Sequence, residues 1–213
     1  ECIFNYHEQG CAIGADAYYR LTNKLSIVNV TSGPGGTNAI TGVYGAWTDS
    51  IGMLVISGQV KWETTVRSTG LPLRQYGDQE LDIEELVKPI TKYCHMVTDP
   101  LTIRYHLEKA IYLAKSGRPG PVWLDIPLNV QASKINPESL KGFDPAELSE
   151  PWSKTDLNEY SKNIHKKIKD SKRPVILVGA GIRLSGKHKS FINLINKLKV
   201  PVVTAWNAHD VVW

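Results

Sequence analysis

Residues 25–38 read Leu-Ser-Ile-Val-Asn-Val-Thr-Ser-Gly-Pro-Gly-Gly-Thr-Asn, and this stretch decides the fold. Its first half is rich in β-branched residues, which predicts a strand. Glycines and a proline then break the chain, and a helical pattern begins near residue 36. A glycine-rich turn at the start of a helix lets a ligand approach the backbone and offers it free N–H groups. The same turn could equally serve only to reverse the chain.

Strand and helix patterns continue to alternate on both sides of this stretch. Strands are predicted at 3–6, 25–31, 52–57 and 121–126, and helices at 8–23, 36–48 and 101–115. Because the strands are nearly continuous apolar runs, the pattern predicts an α/β fold with a doubly wound, mostly parallel sheet covered on both faces. Sheets of this kind bind ligands at the carboxyl ends of their strands.

The chain divides into three parts by composition. The first predicted domain covers residues 1–127, and a linker with several prolines and polar residues follows at 128–156. Residues 157–213 resume the alternation, with strands predicted at 174–179 and 201–206, and are expected to begin a second, Rossmann-like α/β domain. The chain opens inside an apparent strand and ends on apolar residues, so we expect it to be a piece of a longer protein.

Composition excludes several classes of function. The 213 residues are 42% apolar and 22% charged, with a formal charge of only +4, so the basic run at 162–172 is better explained by a solvated helix than by nucleic-acid binding. Cys2, Cys11 and Cys94 have neither disulfide-framework nor metal-site spacing. No apolar run is long enough for a membrane span and no signal peptide is visible. We therefore expect a cytoplasmic protein that binds neither membrane nor nucleic acid.

A carboxylate stands between the first predicted strand and helix, in the sequence His7-Glu8-Gln9-Gly10. Glu8 could simply be an acid that favours the start of a helix, which is worth about 0.3–1 kcal/mol. Its position at the carboxyl end of a strand is also where a ligand of the sheet would lie.

Taken together, the two segments resemble a known family. His-Glu-Gln-Gly, followed by a helix, a strand and Thr-Ser-Gly-Pro-Gly-Gly-Thr-Asn, resembles the pyrimidine-binding domain of thiamine-diphosphate enzymes, and acetolactate synthase large subunits in particular. Ser-Gly-Gln-Val at 57–60 and Ser-Gly-Arg-Pro-Gly-Pro-Val at 116–122 extend the match. The resemblance covers residues 2–130 well and 157–213 more loosely, as the start of the family's middle domain. It implies that the first strand and helix of the pyrimidine-binding domain are absent.

The resemblance implies a role for each matching residue. Glu8 would be the catalytic acid that bonds the aminopyrimidine ring of thiamine diphosphate, and burial would be expected to raise its pKa. Cofactor contacts are implied for Gly33, Pro34, Gly35 and Asn38, an FAD contact in flavin-containing members for Arg118, and a place in the substrate channel for Gln79. Alternatively, Gln79 is a surface loop residue and Arg118 a cation at a helix end. A Gly-x-Gly at 179–181 matches a loop that touches FAD in some members.

The sequence departs from the family in three places. The loop at 61–78 is longer than usual, Leu128-Asn129 replaces the common Lys-Asp, and 206–209 replaces a glycine-containing segment of the flavin site. The family's diphosphate motif, Gly-Asp-Gly followed by Asn, does not occur in the chain. Mg²⁺ would therefore be bound by a domain absent from this chain, and we expect the chain alone to be inactive.

The resemblance implies a carboligase that acts on pyruvate or a related 2-oxoacid and works as a homodimer or homotetramer. A 2-oxoacid decarboxylase or a carboligase for sugar-linked acceptors would share nearly all of these motifs. A non-catalytic binding module with the same fold is the alternative from another class.

Overall fold

A computed structural model describes residues 2–148 and 154–212 of the chain. The chain forms two compact units, Glu1–Pro145 and Ala146–Trp213, and each is described by itself. Within the described residues, no helix is long and apolar enough to cross a membrane.

The first unit is built on a four-stranded parallel sheet with the strand order β1-β2-β4-β3. Its strands are β1 (Ser26–Val30), β2 (Met53–Gln59), β3 (Tyr93–Met96) and β4 (Pro121–Pro127). Its helices are α1 (Glu8–Thr22), α2 (Pro34–Asp49), α3 (Val66–Thr69), α4 (Ile83–Val87), α5 (Ile103–Lys115) and α6 (Leu128–Gln131). Short 3₁₀ turns add Trp62–Thr64, Lys88–Ile90, Pro100–Thr102 and Pro137–Ser139.

The two central strands explain why the sheet is parallel and covered. Nearly every residue of β2 and β4 is buried, on both faces of the sheet, because the strands are continuous apolar runs. Leu54, Val122 and Leu124 are fully buried and form one core with the inner side of α5. The predicted α/β fold with a parallel sheet is confirmed.

One predicted strand does not form, and one observed strand was not predicted. Residues 3–6 form no strand, and Ile3 and Phe4 are 76% and 94% exposed, because the described chain pairs no neighbouring strand with them. Conversely, β3 forms at the sheet edge although Tyr-Cys-His-Met carries no clear strand pattern. Its backbone finds partners on β4, and tertiary pairing overrides weak local preference.

The stretch that follows β4 stays with the first unit as far as Pro145. The predicted linker began at residue 128, but α6 continues directly from β4. Further on, the carboxylate of Glu108 on α5 accepts a hydrogen bond from the Phe143 backbone N–H at 2.8 Å, and Arg104 donates to the Leu140 carbonyl at 3.3 Å. These bonds tie the stretch to α5, so prolines alone did not mark the boundary between the units.

The second unit contains a pair of parallel strands, β5 (Ile176–Val178) and β6 (Val202–Thr204). Its helices are α7 (Lys154–Asp170), α8 (Gly181–Leu184) and α9 (His188–Leu198), with 3₁₀ turns at Pro145–Glu147 and Trp206–Ala208 near its two ends. Val178, Ala208 and Val211 form its small core. The polar α7 is exposed along most of its described length, in keeping with a solvated basic helix.

Helices α1 and α2 pack closely because a glycine lies at their contact. A Cβ added to Gly42 on α2 would lie 2.5 Å from the Ala12 Cβ and 2.9 Å from the backbone carbon of Ala12 on α1. Ala12 and Gly42 are both buried. Because both residues are small, the helix backbones can approach each other closely. This close approach sets the distance between the N-terminal ends of the two helices.

We predict opposite effects for two glycine substitutions on α2. Gly42→Ala should lower the free energy of unfolding by about 1–3 kcal/mol, because its methyl group has no room against α1. Gly45→Ala is the matched control, since the nearest atom to its Cβ would be 3.9 Å away. It should be neutral or stabilise the fold by up to about 1 kcal/mol through helix propensity. Urea denaturation of the three proteins measures both effects, and equal stabilities for the two variants would contradict the packing argument.

Candidate functional site

A cavity of about 840 Å³ opens at the carboxyl edge of the sheet, where β1, β2 and β4 end. It is lined by residues 3–8, 29–32 and 56–60, together with Cys11, Ile126, Leu128 and Gln131. This is the edge at which a parallel sheet binds its ligands, and it is where the sequence placed the site.

Glu8 lies at the wall of this cavity as the first residue of α1. The preceding residue, His7, caps the helix, with its Nδ1 accepting a hydrogen bond from the Gln9 backbone N–H at 3.1 Å. Glu8 Oε2 accepts a hydrogen bond from Asn38 Nδ2 at 3.1 Å. The close approach of α1 and α2 therefore brings together two polar side chains that are thirty residues apart in the sequence.

The charge state of Glu8 differs from the expectation. Its own backbone N–H, the Asn38 amide and nearby His7 stabilise the carboxylate and hold its pKa below the ordinary value. The expected rise through burial was wrong for this chain, because the side chain is partly exposed and these interactions outweigh its desolvation.

The turn at 31–38 is shaped by two glycines. Gly33 caps α2 with a left-handed φ of 54°, and a Cβ there would collide with the carbonyl oxygen of Gln79. A Cβ on Gly35 would lie 2.7 Å from Thr31 Cγ2 and 3.7 Å from Glu8 Oε1. Pro34, as the first residue of α2, needs no backbone hydrogen bond. The two glycines therefore let Gln79 and Thr31 pack directly against the turn beside the carboxylate.

Gln79 reaches this turn from a distant part of the sequence. It adopts a left-handed φ of 55°, and its backbone packs against Gly33. Its side chain is exposed and is not among the residues that line the cavity. The structure therefore brings Glu8, Gly33, Gly35 and Asn38 together and adds the backbone of Gln79.

Arg118 lies elsewhere. It stands between α5 and β4, at the amino ends of the strands, and its Nε donates a hydrogen bond to Ser50 Oγ at 2.5 Å. Ser50 ends α2 and precedes β2, so the pair lies at the edge of the sheet opposite Glu8. Any ligand of Arg118 would contact a different face of this unit from a ligand of Glu8.

A buried polar network beneath the cavity was missed by sequence reasoning. Asp125, only 1% exposed, accepts hydrogen bonds from Ser57 Oγ at 2.5 Å and from Gln59 Nε2 at 2.9 Å. Trp123 Nε1 donates to Ser57 Oγ at 2.8 Å. Burial raises the pKa of Asp125 to about 6, although both of its hydrogen bonds favour the charged form. A lone carboxylate inside an apolar strand was the available signal.

Possible metal ligands are scattered over the chain. In the ranges 2–148 and 154–212, no group of three or more His, Cys, Asp or Glu residues could hold a metal ion. The three cysteines are free thiols.

Two family models match the chain. The model described as thiamine pyrophosphate enzyme, N-terminal TPP binding domain, matches residues 1–86, and the central domain of the same enzymes matches residues 161–213. With the parallel sheet and the Glu8–Asn38 pair at its carboxyl edge, these matches show that the chain belongs to the thiamine pyrophosphate enzymes.

Within that class, the chain is similar to acetolactate synthase large subunits. It is 35% identical over 202 residues to the one from Lactococcus lactis subsp. lactis (strain IL1403), covering 95% of this chain and 33% of that protein. The large subunit from Porphyra purpurea is 36% identical over 93% of this chain and 32% of its own length. A probable large subunit from Methanococcus aeolicus is 34% identical over 95% of this chain and 33% of its own length. The chain thus spans about a third of these relatives.

We predict that Asn38→Ala raises the pKa of Glu8 toward the ordinary value, because the variant loses a donor to the carboxylate. The proton should then stay on Glu8 to a higher pH than in the parent chain. Asn29→Ala is the matched control, since Asn29 lines the cavity but has no bond to Glu8. NMR titration of the Glu8 carboxyl carbon measures the change. An unaltered titration in Asn38→Ala would refute the role given to this hydrogen bond.

Proposed function

We propose that this chain is the pyrimidine-binding part of a thiamine-diphosphate-dependent carboligase of the acetolactate synthase type, acting on pyruvate or a related 2-oxoacid. One observation carries the proposal. Glu8 accepts a hydrogen bond from Asn38 near the start of two helices and lines a cavity at the carboxyl edge of the sheet.

The residues present fit the pyrimidine end of the cofactor. The turn at Gly33 and Gly35 adds no side chain next to the Glu8 carboxylate, and the cavity that Glu8 lines is large enough for a flat heteroaromatic ring. Glu8 can bond a ring nitrogen with a carboxyl oxygen. The bound cofactor supplies the carbanion chemistry, while the protein supplies orientation and charge.

Glu8 would hold or release a proton at Oε1, since Oε2 is engaged by Asn38. Without a bound ligand the pKa of Glu8 is lowered, so the group is a carboxylate. A ring that covers Glu8 would exclude water and raise this pKa toward the range that suits proton exchange near neutral pH. Asn38 holds the carboxylate in place during this change.

The remaining groups of the site would come from outside the first unit's cavity. No lysine or arginine is among the cavity-lining residues of the described chain, and apolar Leu128 stands at its wall. We propose that Mg²⁺ and the cofactor's diphosphate are held by a further domain, and that the working enzyme is at least a homodimer. An FAD molecule would contact Arg118 in the first unit, where Arg118 Nε donates a hydrogen bond to Ser50 Oγ. We place the enzyme in the cytoplasm.

We predict that Glu8→Gln in the full-length protein lowers kcat by about 10²–10⁴-fold, the usual contribution of general acid–base catalysis. The fold should be retained, because the Gln carbonyl can still accept the hydrogen bond from Asn38. Glu138→Gln, at an exposed carboxylate of a short 3₁₀ turn, is the control and should leave turnover unchanged. Near-normal carboligation of pyruvate by Glu8→Gln would refute the catalytic role assigned to Glu8.

We also predict that two inactive variants complement each other if the site lies between chains. One subunit would carry Glu8→Gln and the other a disrupted diphosphate site. A mixed dimer isolated with two affinity tags should regain about half of the parent activity, since one of its two sites is intact. Complete inactivity of the verified mixed dimer would mean that each subunit builds its own site.

A further inference from the structure

The segment between β2 and α4, residues 61–82, is an ordered loop. We call it the insert loop, because it contains residues 61–78, which the family resemblance predicts to be longer than in acetolactate synthases. It contains the 3₁₀ turn Trp62–Thr64 and the helix α3, and it ends where Asp82 caps α4. It also carries Gln79, the residue that packs on the glycine turn.

One carboxylate holds the two arms of the insert loop together. Glu80 Oε1 accepts a hydrogen bond from the Val66 backbone N–H, at the start of α3. Glu80 Oε2 accepts two more, from the backbone N–H groups of Tyr76 and Gly77, both at 3.1 Å. Hydrogen bonds to a charged acceptor are stronger than neutral ones, so this one side chain stabilises the loop by joining the start of α3 to Tyr76 and Gly77.

The base of the insert loop is bonded to the carboxyl edge of the sheet at both ends. Gln59 Nε2, at the end of β2, donates to the Leu81 carbonyl at 2.8 Å and is itself held by Asp125. At the other end, Asn129 Oδ1 accepts a hydrogen bond from the Trp62 backbone N–H at 3.0 Å. Asn129 is one of the positions at which the sequence is expected to differ from its family. Its hydrogen bond to Trp62 therefore joins this residue to the insert loop.

The consequence is a defined position for Gln79. It lies next to Glu80, with a left-handed backbone, and its carbonyl oxygen occupies the space that a side chain at Gly33 would need. Gly77, two residues earlier, is buried, and a Cβ on it would lie 2.7 Å from the Thr64 carbonyl oxygen. The chain between these contacts has little freedom, provided that Glu80 keeps the two arms together.

We propose that Glu80 is a positioning residue, which folds the insert loop so that Gln79 stands beside Gly33 at the cofactor turn. Glu80 acts through Gln79 and does not contact substrate itself. Gln59 and Asn129 hold the base of the loop. The proposal rests on the proposed function for the role of Gln79, whereas the folding of the loop by Glu80 is independent of it.

The first test is hydrogen exchange in the full-length protein. Glu80→Ala should speed exchange of the Val66, Tyr76 and Gly77 amides by about tenfold to a hundredfold, as expected for the loss of hydrogen bonds to a charged acceptor. Glu108→Ala is the matched control, because Glu108 also holds a loop amide, that of Phe143, outside the cavity. It should change exchange at Phe143 and leave the insert loop unaltered. Unchanged exchange at all three amides in Glu80→Ala would overturn the proposal.

The second test is a double-mutant cycle with steady-state kinetics on pyruvate. Glu80→Ala and Gln79→Ala should each raise KM more than they lower kcat, by about tenfold, whereas Glu80→Gln, which keeps one acceptor oxygen, should recover part of the loss. The double variant should be no worse than Gln79→Ala, because Glu80 acts through Gln79. Losses that multiply in the double variant would overturn this role.

The two tests separate the possible failures. If the parent protein shows no carboligation of pyruvate or of a related 2-oxoacid, the proposed function fails and hydrogen exchange alone decides whether Glu80 folds the insert loop. If carboligation is present and exchange at the three amides is unaltered, the positioning role fails while the proposed function stands.

Discussion

The close contact of α1 with α2 at Gly42 and Ala12 is the constraint on which the site depends. Glu8 and Asn38 stand near the N-terminal ends of these two helices, and their hydrogen bond of 3.1 Å requires the helix backbones to lie close together. A close contact about one turn along each helix thereby determines the geometry of the polar pair.

The cavity lies between a rigid side and a more open one. Below it, the buried network of Asp125, Ser57 and Gln59 satisfies its polar groups internally and joins the ends of β2 and β4. Above it, residues 3–7 are exposed and form no regular structure before α1. Asn38 and the start of α1 thus orient Glu8, whereas the exposed residues 3–7 leave its carboxylate accessible to water. The hydrogen bonds from the Glu8 backbone N–H and from Asn38 therefore outweigh desolvation and lower the pKa of the carboxylate.

Much of the fold could be predicted from the sequence because its signals are local. The apolar runs of β2 and β4 and the glycine turn before α2 place three elements within a few residues of their observed bounds. Strand β3 could not be predicted, since only its pairing with β4 makes it a strand. For the site, Glu8, Gly33, Gly35 and Asn38 follow from motif and position. The approach of Gln79 to Gly33 and the three bonds of Glu80 depend on the tertiary path of a loop, for which the sequence carries no periodic signal.

Cys11 places a free thiol in the cavity that a reagent can modify. It lies one turn along α1 from Glu8 and lines the same cavity, so its sulfur shares the space that a ligand of Glu8 would fill. Cys94 differs, because burial raises the pKa of its thiol and the sulfur faces the Glu84 carbonyl at 3.7 Å. Since alkylating reagents attack the thiolate, Cys94 should react slowly. The alkylation rate at Cys11 then reports whether the cavity is filled, by mass spectrometry and without any catalytic turnover.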